Sequence, residues 1–329
     1  MLSLATGAFA LPAASSAPAV PSVGGVGIRL LDVPANAVND PRARLYIVDH
    51  LAPGAVIHRR IAVSNTTLSV VRVELYAAAA AIANGAFIGD QGHTSNDLST
   101  WTSVIPSAAE ISPGATVLST VTIAVPANAA PGERYAVVWA EVGTVVATDG
   151  GVAEVNRVGV RIYLSIGSGS APTSNFTIES LTAERSPQGH PVVVAAVHNV
   201  GGRALDMGGS LQLSSGPGGL SAGPFPVTLG VTLAIGTTEN VIVTLDDVIP
   251  NGPWDALMTL RSGLTERTAR ATIAFPSSGV SAAVKTAPNR RASSGRTIGA
   301  AIVLTSLTIA VAGVLLVHRW RARAHSLIG

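Results

Sequence analysis

Residues 157–166 read Arg157-Val-Gly-Val-Arg-Ile-Tyr-Leu-Ser-Ile166, a stretch that alternates aliphatic with polar, small or aromatic residues. Successive side chains of a β-strand point to opposite faces, so a period of two indicates a strand with one buried face. Arg157, Arg161 and Tyr163 fall on the face away from the core. The predicted core face carries Val158, Val160, Ile162, Leu164 and Ile166.

The same alternation recurs earlier in the chain. Val71, Val73 and Leu75 share one predicted face. Residues 117–125 repeat the pattern, and Tyr135 to Val142 is apolar on both faces, as in a central strand. Three turn-forming pairs separate these stretches: Pro53-Gly54, Pro113-Gly114 and Pro131-Gly132. No amphipathic helix is apparent. Many short strands between turns predict an all-β fold of antiparallel sandwiches.

Residues 167–174 divide the chain into two halves. This Gly/Ser/Pro stretch has the composition of a flexible hinge. We predict two tandem Ig-like sandwiches, over 27–166 and 175–276. The halves share a strand that ends in Asn at a turn, Ala62-Val-Ser-Asn65 and Ala196-Val-His-Asn199.

Composition and charge exclude several classes of protein. The 329 residues contain no Cys, which excludes disulfide scaffolds, thiolate metal sites and cysteine nucleophiles. Residues 1–275 hold 14 Arg and all 19 acidic residues, for a net charge of −5, whereas residues 276–329 carry +7. A basic tail beside an acidic body is not the basic face that nucleic acid requires, so no nucleic-acid partner is expected.

The two termini predict export and membrane anchoring. Residues 1–21 resemble a secretory signal with an Ala-x-Ala cleavage pattern. They lack the basic region with which such signals start, which suggests a truncated signal. Residues 298–317 lack any charge, and 20 residues at about 1.5 Å each span roughly 30 Å of hydrocarbon. We predict a basic disordered stalk (277–297), a transmembrane helix (298–317) that contacts lipid, and a cytoplasmic tail (318–329). The predicted membrane-interface residues are Arg296, Arg319, Trp320, Arg321 and Arg323.

The sequence contains one candidate ligand-binding site. No His, Ser or acidic motif has catalytic or metal-ligand spacing, so we expect no catalytic residue, no metal and no cofactor. A long polar segment, Asn84 to Trp101, offers a ring for stacking on sugars together with hydrogen-bonding groups. The candidate ligand-binding residues are Trp101, His93, Asn96 and Asp97. The alternative is that Trp101 closes the end of the sandwich; Tyr135 and Trp139 are predicted to be core residues.

The first half resembles the peptidoglycan-binding domain of the WxL-interacting protein family of Gram-positive surface proteins. The residues that carry the resemblance are Leu51-Ala-Pro-Gly54, Ile61-Ala-Val-Ser-Asn-Thr-Thr67, Ile111-Ser-Pro-Gly-Ala-Thr-Val117, Val121-Thr-Ile-Ala-Val-Pro126 and Pro131-Gly-Glu-Arg-Tyr-Ala-Val-Val-Trp139. The resemblance implies a membrane-anchored extracellular scaffold that contacts peptidoglycan, with a WxL-type or other surface protein as a further candidate partner.

Two alternative functions remain open. An Ig-like pair also suits an assembly chaperone that binds a surface protein by β-strand addition. A wall-associated hydrolase accessory domain is the second alternative. The main interpretation is a non-catalytic binding scaffold at the cell surface.

Overall fold

The computed structural model describes residues 24–143, 155–246 and 248–288. The chain up to Thr286 forms one unit, and Ala287–Gly329 a second, of which only residues 287 and 288 are described. The predicted signal (1–21), transmembrane helix (298–317) and tail (318–329) lie outside the described residues. Within the described ranges, no helix has the length and apolarity needed to cross a bilayer.

Two sheets form the first sandwich. One has the strand order β1-β3-β8-β6; the other has the order β2-β10-β9-β4-β5, with β7 also pairing with β4. The strands are β1 (Val26–Leu30), β2 (Ile47–Leu51), β3 (Val56–Asn65), β4 (Val71–Ala83), β5 (Ala86–Gly89), β6 (Thr102–Ile105), β7 (Ala108–Ile111), β8 (Thr116–Ala124), β9 (Gly132–Gly143) and β10 (Val155–Ile166). All described pairings in this sandwich are antiparallel except that of β2 with β10.

The second sandwich also has two main sheets, with a small β13-β16 ribbon beside them. Their orders are β17-β12-β11-β20, with β21 also pairing with β11, and β15-β14-β18-β19. The strands are β11 (Phe176–Arg185), β12 (Pro191–Asn199), β13 (Leu205–Asp206), β14 (Gly208–Ser214), β15 (Ala222–Pro226), β16 (Thr232–Leu233), β17 (Thr238–Thr244), β18 (Gly252–Ser262), β19 (Thr265–Phe275), β20 (Gly279–Val280) and β21 (Val284–Lys285); β22 (Ala287–Pro288) belongs to the second unit. The all-β sandwich prediction is confirmed.

Burial follows the alternation in the sequence. Val160, Ile162 and Leu164 of β10 are buried in the first core, with Val73 and Leu75 of β4. β9 lies between β10 and β4, as its apolar composition predicts. Each sandwich has its own apolar core because each pair of sheets turns one face inward.

The segment from Asn84 to Trp101 is not the long loop that its polarity predicts. It contains β5 and a short helix, α2 (Asp97–Thr100). A capping box starts α2, in which the Asn96 side chain accepts from the Ser99 amide and the Ser99 hydroxyl accepts from the Asn96 amide. The other helices are α1 (Pro41–Leu45), capped by Asp40, and 3₁₀ turns at Ala35–Ala37 and Pro217–Gly219.

The two sandwiches repeat one turn. Asn65 is buried at the end of β3, and its amide nitrogen donates to the Ser69 and Ile111 carbonyls at 2.7 and 2.8 Å. Asn199 is buried at the end of β12, where it donates to the Arg203 and Ala234 carbonyls at 2.8 and 3.0 Å. Each Asn replaces the main-chain bonds that are lost where its strand ends.

The connection between the sandwiches is bonded to both of them. The Gly167 amide donates to the Leu51 carbonyl of the first sandwich at 3.0 Å. The Thr173 carbonyl accepts from the Gly202 amide of the second sandwich at 3.0 Å. The segment therefore follows the surfaces of both domains, in contrast to the flexible hinge that its composition suggests.

Candidate functional site

The structure separates His93 from the other three residues of the predicted ligand site, which stay together around α2 and Arg134. His93 stacks on Tyr76, with ring centroids 3.8 Å apart, on the outer face of the β4 sheet. Trp101 is half-buried and packs against the first core, where Arg134 lies 5.2 Å from its ring centroid. The Trp101 ring therefore closes the sandwich, and no sugar-stacking surface unites it with His93.

The other two predicted residues have local structural roles. Asn96 caps α2 and donates to the Tyr135 carbonyl at 2.8 Å. Asp97 accepts from Arg134 Nε at 3.4 Å. The predicted membrane-interface residues lie outside the described residues: Arg296, Arg319, Trp320, Arg321 and Arg323.

A different feature distinguishes the first sandwich. On one side, β1 from one sheet packs against β10 from the other without pairing with it; we call this boundary the first seam. β9 pairs with β10 along all twelve of its residues, but β2 pairs with β10 only from Ile162 to Ile166. No strand in the described chain pairs with the second edge of Arg157–Arg161. This edge could accept a further strand.

An apolar pocket of about 280 Å³ lies beside this edge. Its lining includes Val26 of β1, Val71 of β4, Val142 of β9 and Val158 of β10. Val158 points to the same side as the buried Val160, but it is 36% exposed because the core does not extend to it. Main-chain groups and an apolar pocket thus lie next to each other at the first seam.

The second sandwich has the corresponding boundary, between β11 and β19, which we call the second seam. Here the chain itself supplies the missing strands: β20 pairs with Glu184 and Arg185, and β21 with Ser180 and Leu181. The Ser281 amide also donates to the Ala183 carbonyl at 3.0 Å. The start of the predicted disordered stalk is therefore folded against the second sandwich, and that prediction is wrong for residues 279–285.

The outer face next to the first seam carries a flat indole ring. A side chain at Gly159 would place its Cβ 2.7 Å from Trp139 Cε3, and one at Gly89 would place it 2.6 Å from Trp139 Cζ2. These two glycines let the ring lie across three strands. The Arg157 guanidinium covers the ring at 4.3 Å and donates to the Asp90 carbonyl at 3.0 Å, so it lies over β9, away from the open edge.

Tyr135 and Trp139 lie outside the core of the first sandwich; Tyr135 packs instead against the small buried cluster of Val48, Tyr163 and Ala204. Alternation in β9 places both side chains on the outer face, opposite the core residues Ala136 and Val138. Tyr135 packs against Tyr163, with ring centroids 5.9 Å apart, and Trp139 packs against Arg157. The apolar residues on both faces of β9 suggested that both faces belong to the core. The outer face is covered instead by Tyr163 and by the strands that Gly159 and Gly89 allow to approach.

A half-buried carboxylate joins the two sandwiches. Asp206 of β13 accepts from Arg42 Nε at 2.8 Å, Arg161 Nη1 at 3.1 Å and the Tyr163 hydroxyl at 2.8 Å, all from the first sandwich. Burial and the nearby Asp206 charge raise the pKa of Tyr163. The phenol therefore stays protonated and donates throughout the physiological range.

A cleft of about 470 Å³ opens at this contact. Arg42, Arg161 and Arg261 line it, opposed by the carboxylate of Asp206. The positive surplus suits an anionic group. Sequence spacing could not reveal this cluster, because Arg42 and Asp206 are 164 positions apart.

The outer face holds a second phenol–carboxylate pair. The Tyr76 hydroxyl donates to Glu141, and burial together with this hydrogen bond raises the pKa of Tyr76 to about 12. Within the described ranges, no three His, Asp or Glu side chains are grouped as metal ligands. The arrangement offers binding surfaces on both sandwiches.

No protein-family model and no curated protein matches the chain. Among solved structures, it is similar to the Pseudomonas aeruginosa CupB2 chaperone, at 12% identity over 69% of this chain and 97% of that one, with a TM-score of 0.36. The E. coli chaperone DraB matches at 8% identity over 80% of this chain and 98% of that one, with a TM-score of 0.37. A Salmonella enterica SafA pilin in complex with the SafB chaperone matches at 8% identity over 76% of this chain and 97% of that one, with a TM-score of 0.40. Similarity at this level does not assign a function.

Proposed function

We propose that this chain is a non-catalytic cell-surface protein whose first sandwich binds an extended segment of a partner surface protein by β-strand addition. The observation that supports the proposal most is the edge of Arg157–Arg161, which no described strand covers and which borders an apolar pocket. Export and anchoring by residues 298–317 are part of the proposal.

Strand addition would use both the open main-chain edge and the apolar pocket beside it. An added strand gains affinity from main-chain hydrogen bonds, and alternate side chains that enter pockets provide selectivity. A guest strand beside Arg157–Val160 would continue the line of β2, in which Tyr46 lies opposite Arg161. Its inward side chains would fill the pocket that Val158 now leaves open to solvent.

The second sandwich supports this proposal from within the same molecule. Residues 279–285 cover the second seam, mainly through main-chain pairing with β11. The chain thereby demonstrates that such a seam accommodates a short added strand. The first seam lacks a described equivalent, and we assign that place to the partner.

The structure favours strand addition over the peptidoglycan scaffold. Trp101 packs against the core, and His93 lies on another face of the sandwich. Peptidoglycan as a partner, and membership of the WxL-interacting family, stay predictions from the sequence.

Site-specific photo-cross-linking in the organism that encodes the chain tests the function. Benzoylphenylalanine replaces Val158 in the full-length chain. The matched control places it at Ile242, which is 41% exposed on the edge strand β17 but whose carbonyl already accepts from the Thr228 amide.

We expect position 158 to cross-link to one extended segment of a surface protein, at several times the yield from position 242. Equal yields at the two positions, or adducts with wall glycan alone, would contradict strand addition at the first seam.

A further inference from the structure

We propose that the turn between β3 and β4 is a second docking element for the same partner, and that it receives an uncharged, apolar side chain next to the guest strand. We call residues 66–70 the first turn. This inference rests on the proposed strand addition, and it concerns a part of the partner that lies outside the added strand.

The first turn is held in one conformation and displays two apolar side chains. The Asn65 side chain accepts from the Thr67 amide at 2.8 Å and donates to the Ser69 carbonyl at 2.7 Å. The backbone is therefore fixed on both sides of Leu68. The Leu68 side chain is nevertheless 97% exposed, and Val70 is 59% exposed.

The second sandwich builds the same turn at the end of β12. The Asn199 side chain accepts from the Gly201 amide at 2.9 Å and donates to the Arg203 carbonyl at 2.8 Å. These are the bonds that Asn65 makes to the residues two and four positions after it. Residues 200–204, which we call the second turn, therefore correspond one by one to the first turn.

The second turn is covered by the first sandwich. Ala204 is completely buried: its amide donates to Glu133 at 2.7 Å, and its carbonyl accepts from Arg42 at 3.0 Å. Arg203 also reaches the first sandwich, where its Nη2 donates to the Asp49 carbonyl at 3.2 Å. One copy of this turn thus already serves as a docking element between two folded domains.

The residues that differ between the two turns indicate what each one accepts. The second turn presents Arg203 to a surface that holds a carboxylate. The first turn has Ser69 at that position, Val70 at the next, and Leu68 where the second turn has Gly202. Since the first turn contains no charged residue, an apolar group suits it, whereas a charged group would lose its water without gaining a partner.

The first turn is continuous with the pocket at the first seam. Thr67 and Val71, which flank Leu68–Val70 on either side, both line that pocket. Val158, beside which the guest strand would lie, lines it as well. Partner residues that adjoin the guest strand therefore meet the first turn, and this continuity assigns the turn to the protein that supplies the strand.

Cross-linking from the turn tests this inference. Benzoylphenylalanine replaces Leu68 in the full-length chain, in the organism that encodes it. We expect an adduct with the same partner that position 158 captures, joined through a residue outside the guest strand. The matched control places the cross-linker at Leu220, a 50% exposed turn leucine of the second sandwich, where only background yield is expected.

Substitution of Leu68 measures how much the turn contributes. With the cross-linker at position 158, Leu68→Asp should lower the yield by about tenfold, because an apolar contact is replaced by a buried charge. Leu68→Met keeps an apolar side chain of similar size and should retain most of the yield. Leu220→Asp is the control for an added charge. The urea midpoint of Leu68→Asp should match that of the parent, since this side chain is exposed.

Failure of the turn and failure of strand addition give different results. Suppose that position 158 captures the partner, while position 68 captures a second copy, another protein, a segment of its own chain or nothing. The docking role of the first turn is then overturned and strand addition stands. An unchanged yield at position 158 in Leu68→Asp has the same meaning. Equal yields at positions 158 and 242 overturn strand addition, and this inference with it.

Discussion

The two seams of this molecule lie between corresponding strands, but they are covered on different sides: the second along β11, the counterpart of β1, and the first only in part along β10. In the second, residues 279–285 fold back and pair with β11. In the first, β10 is paired on both edges only from Ile162 onward, and no described strand lies along Arg157–Arg161. Since an unpaired edge beside an apolar pocket invites another strand, the difference indicates that one seam is structural and the other receptive.

The largest expected effect tests how alike the two sandwiches are. Asn65→Ala and Asn199→Ala each remove a buried amide that bonds several main-chain groups, so each should lower the free energy of unfolding by about 3 kcal/mol. Urea-induced unfolding measures the change. Asn240→Ala, at an exposed position of β17, should change it by less than about 0.5 kcal/mol. A large loss at only one Asn would show that the two turns are not equivalent.

The next effect concerns the closed seam. Val284 is half-buried against the second core, so Val284→Asp places a carboxylate where apolar contacts were and should cost about 2 kcal/mol. Faster amide exchange at Leu181–Arg185 should accompany this loss, because the covering strand detaches. Lys285→Ala, whose side chain is exposed, is the matched control and should leave both unchanged. Unchanged exchange in Val284→Asp would show that β21 does not hold the second seam closed.

The corresponding change in the open seam should affect binding more than stability. Val158 is only partly covered, so Val158→Asp should cost less than about 0.5 kcal/mol in urea-induced unfolding. The same variant should bind the partner segment identified by cross-linking at position 158 at least tenfold more weakly, because the inward side chains of the guest would meet a buried charge. Stability loss as large as that of Val284→Asp would mean that the described chain already depends on Val158.

The smallest effect concerns the border of the first seam. Asp32 follows β1 and accepts from Arg60 of β3, and this hydrogen bond lowers the pKa of Asp32 below its ordinary value of 3.8. A carboxyl with a lowered folded-state pKa contributes stability at neutral pH, and this is lost as pH falls through that pKa. Asp32→Asn should therefore unfold slightly more easily at pH 7 and match the parent in strong acid.

Asp97→Asn is the control for this pH series, since the Asp97 carboxylate is 70% exposed at a longer contact. Thermal melts at several pH values would show the trend. A difference between parent and Asp32→Asn that persists in strong acid would exclude the ion pair as its cause.

The sequence alone predicts much of this fold, because alternation reports burial directly. The valines and isoleucines of β10 and the Asn residues at the turns are each visible in one local stretch. The covering strand is not: residues 279–285 have a small-residue composition typical of a linker, yet they pair through main-chain groups that composition does not report.

The candidate site was also beyond local patterns. Trp101 and His93 are close in sequence, but α2 and the outer face of β4 hold them apart. Whether Arg157–Arg161 has a neighbour depends on where β2 begins, more than a hundred residues earlier. Long-range pairing decides which edges remain uncovered, and one sequence contains no direct signal of it.

Amide hydrogen exchange of the full-length chain, with and without a saturating peptide copied from the partner segment that cross-links to position 158, tests the central claim most directly. We expect the amides of Arg157–Arg161 that point away from β9 to exchange quickly in the free chain and at least tenfold more slowly with the peptide, while Leu181–Arg185 stays protected in both. Protection of Arg157–Arg161 already complete in the free chain, or unchanged exchange there with bound peptide, would contradict a receptive first seam.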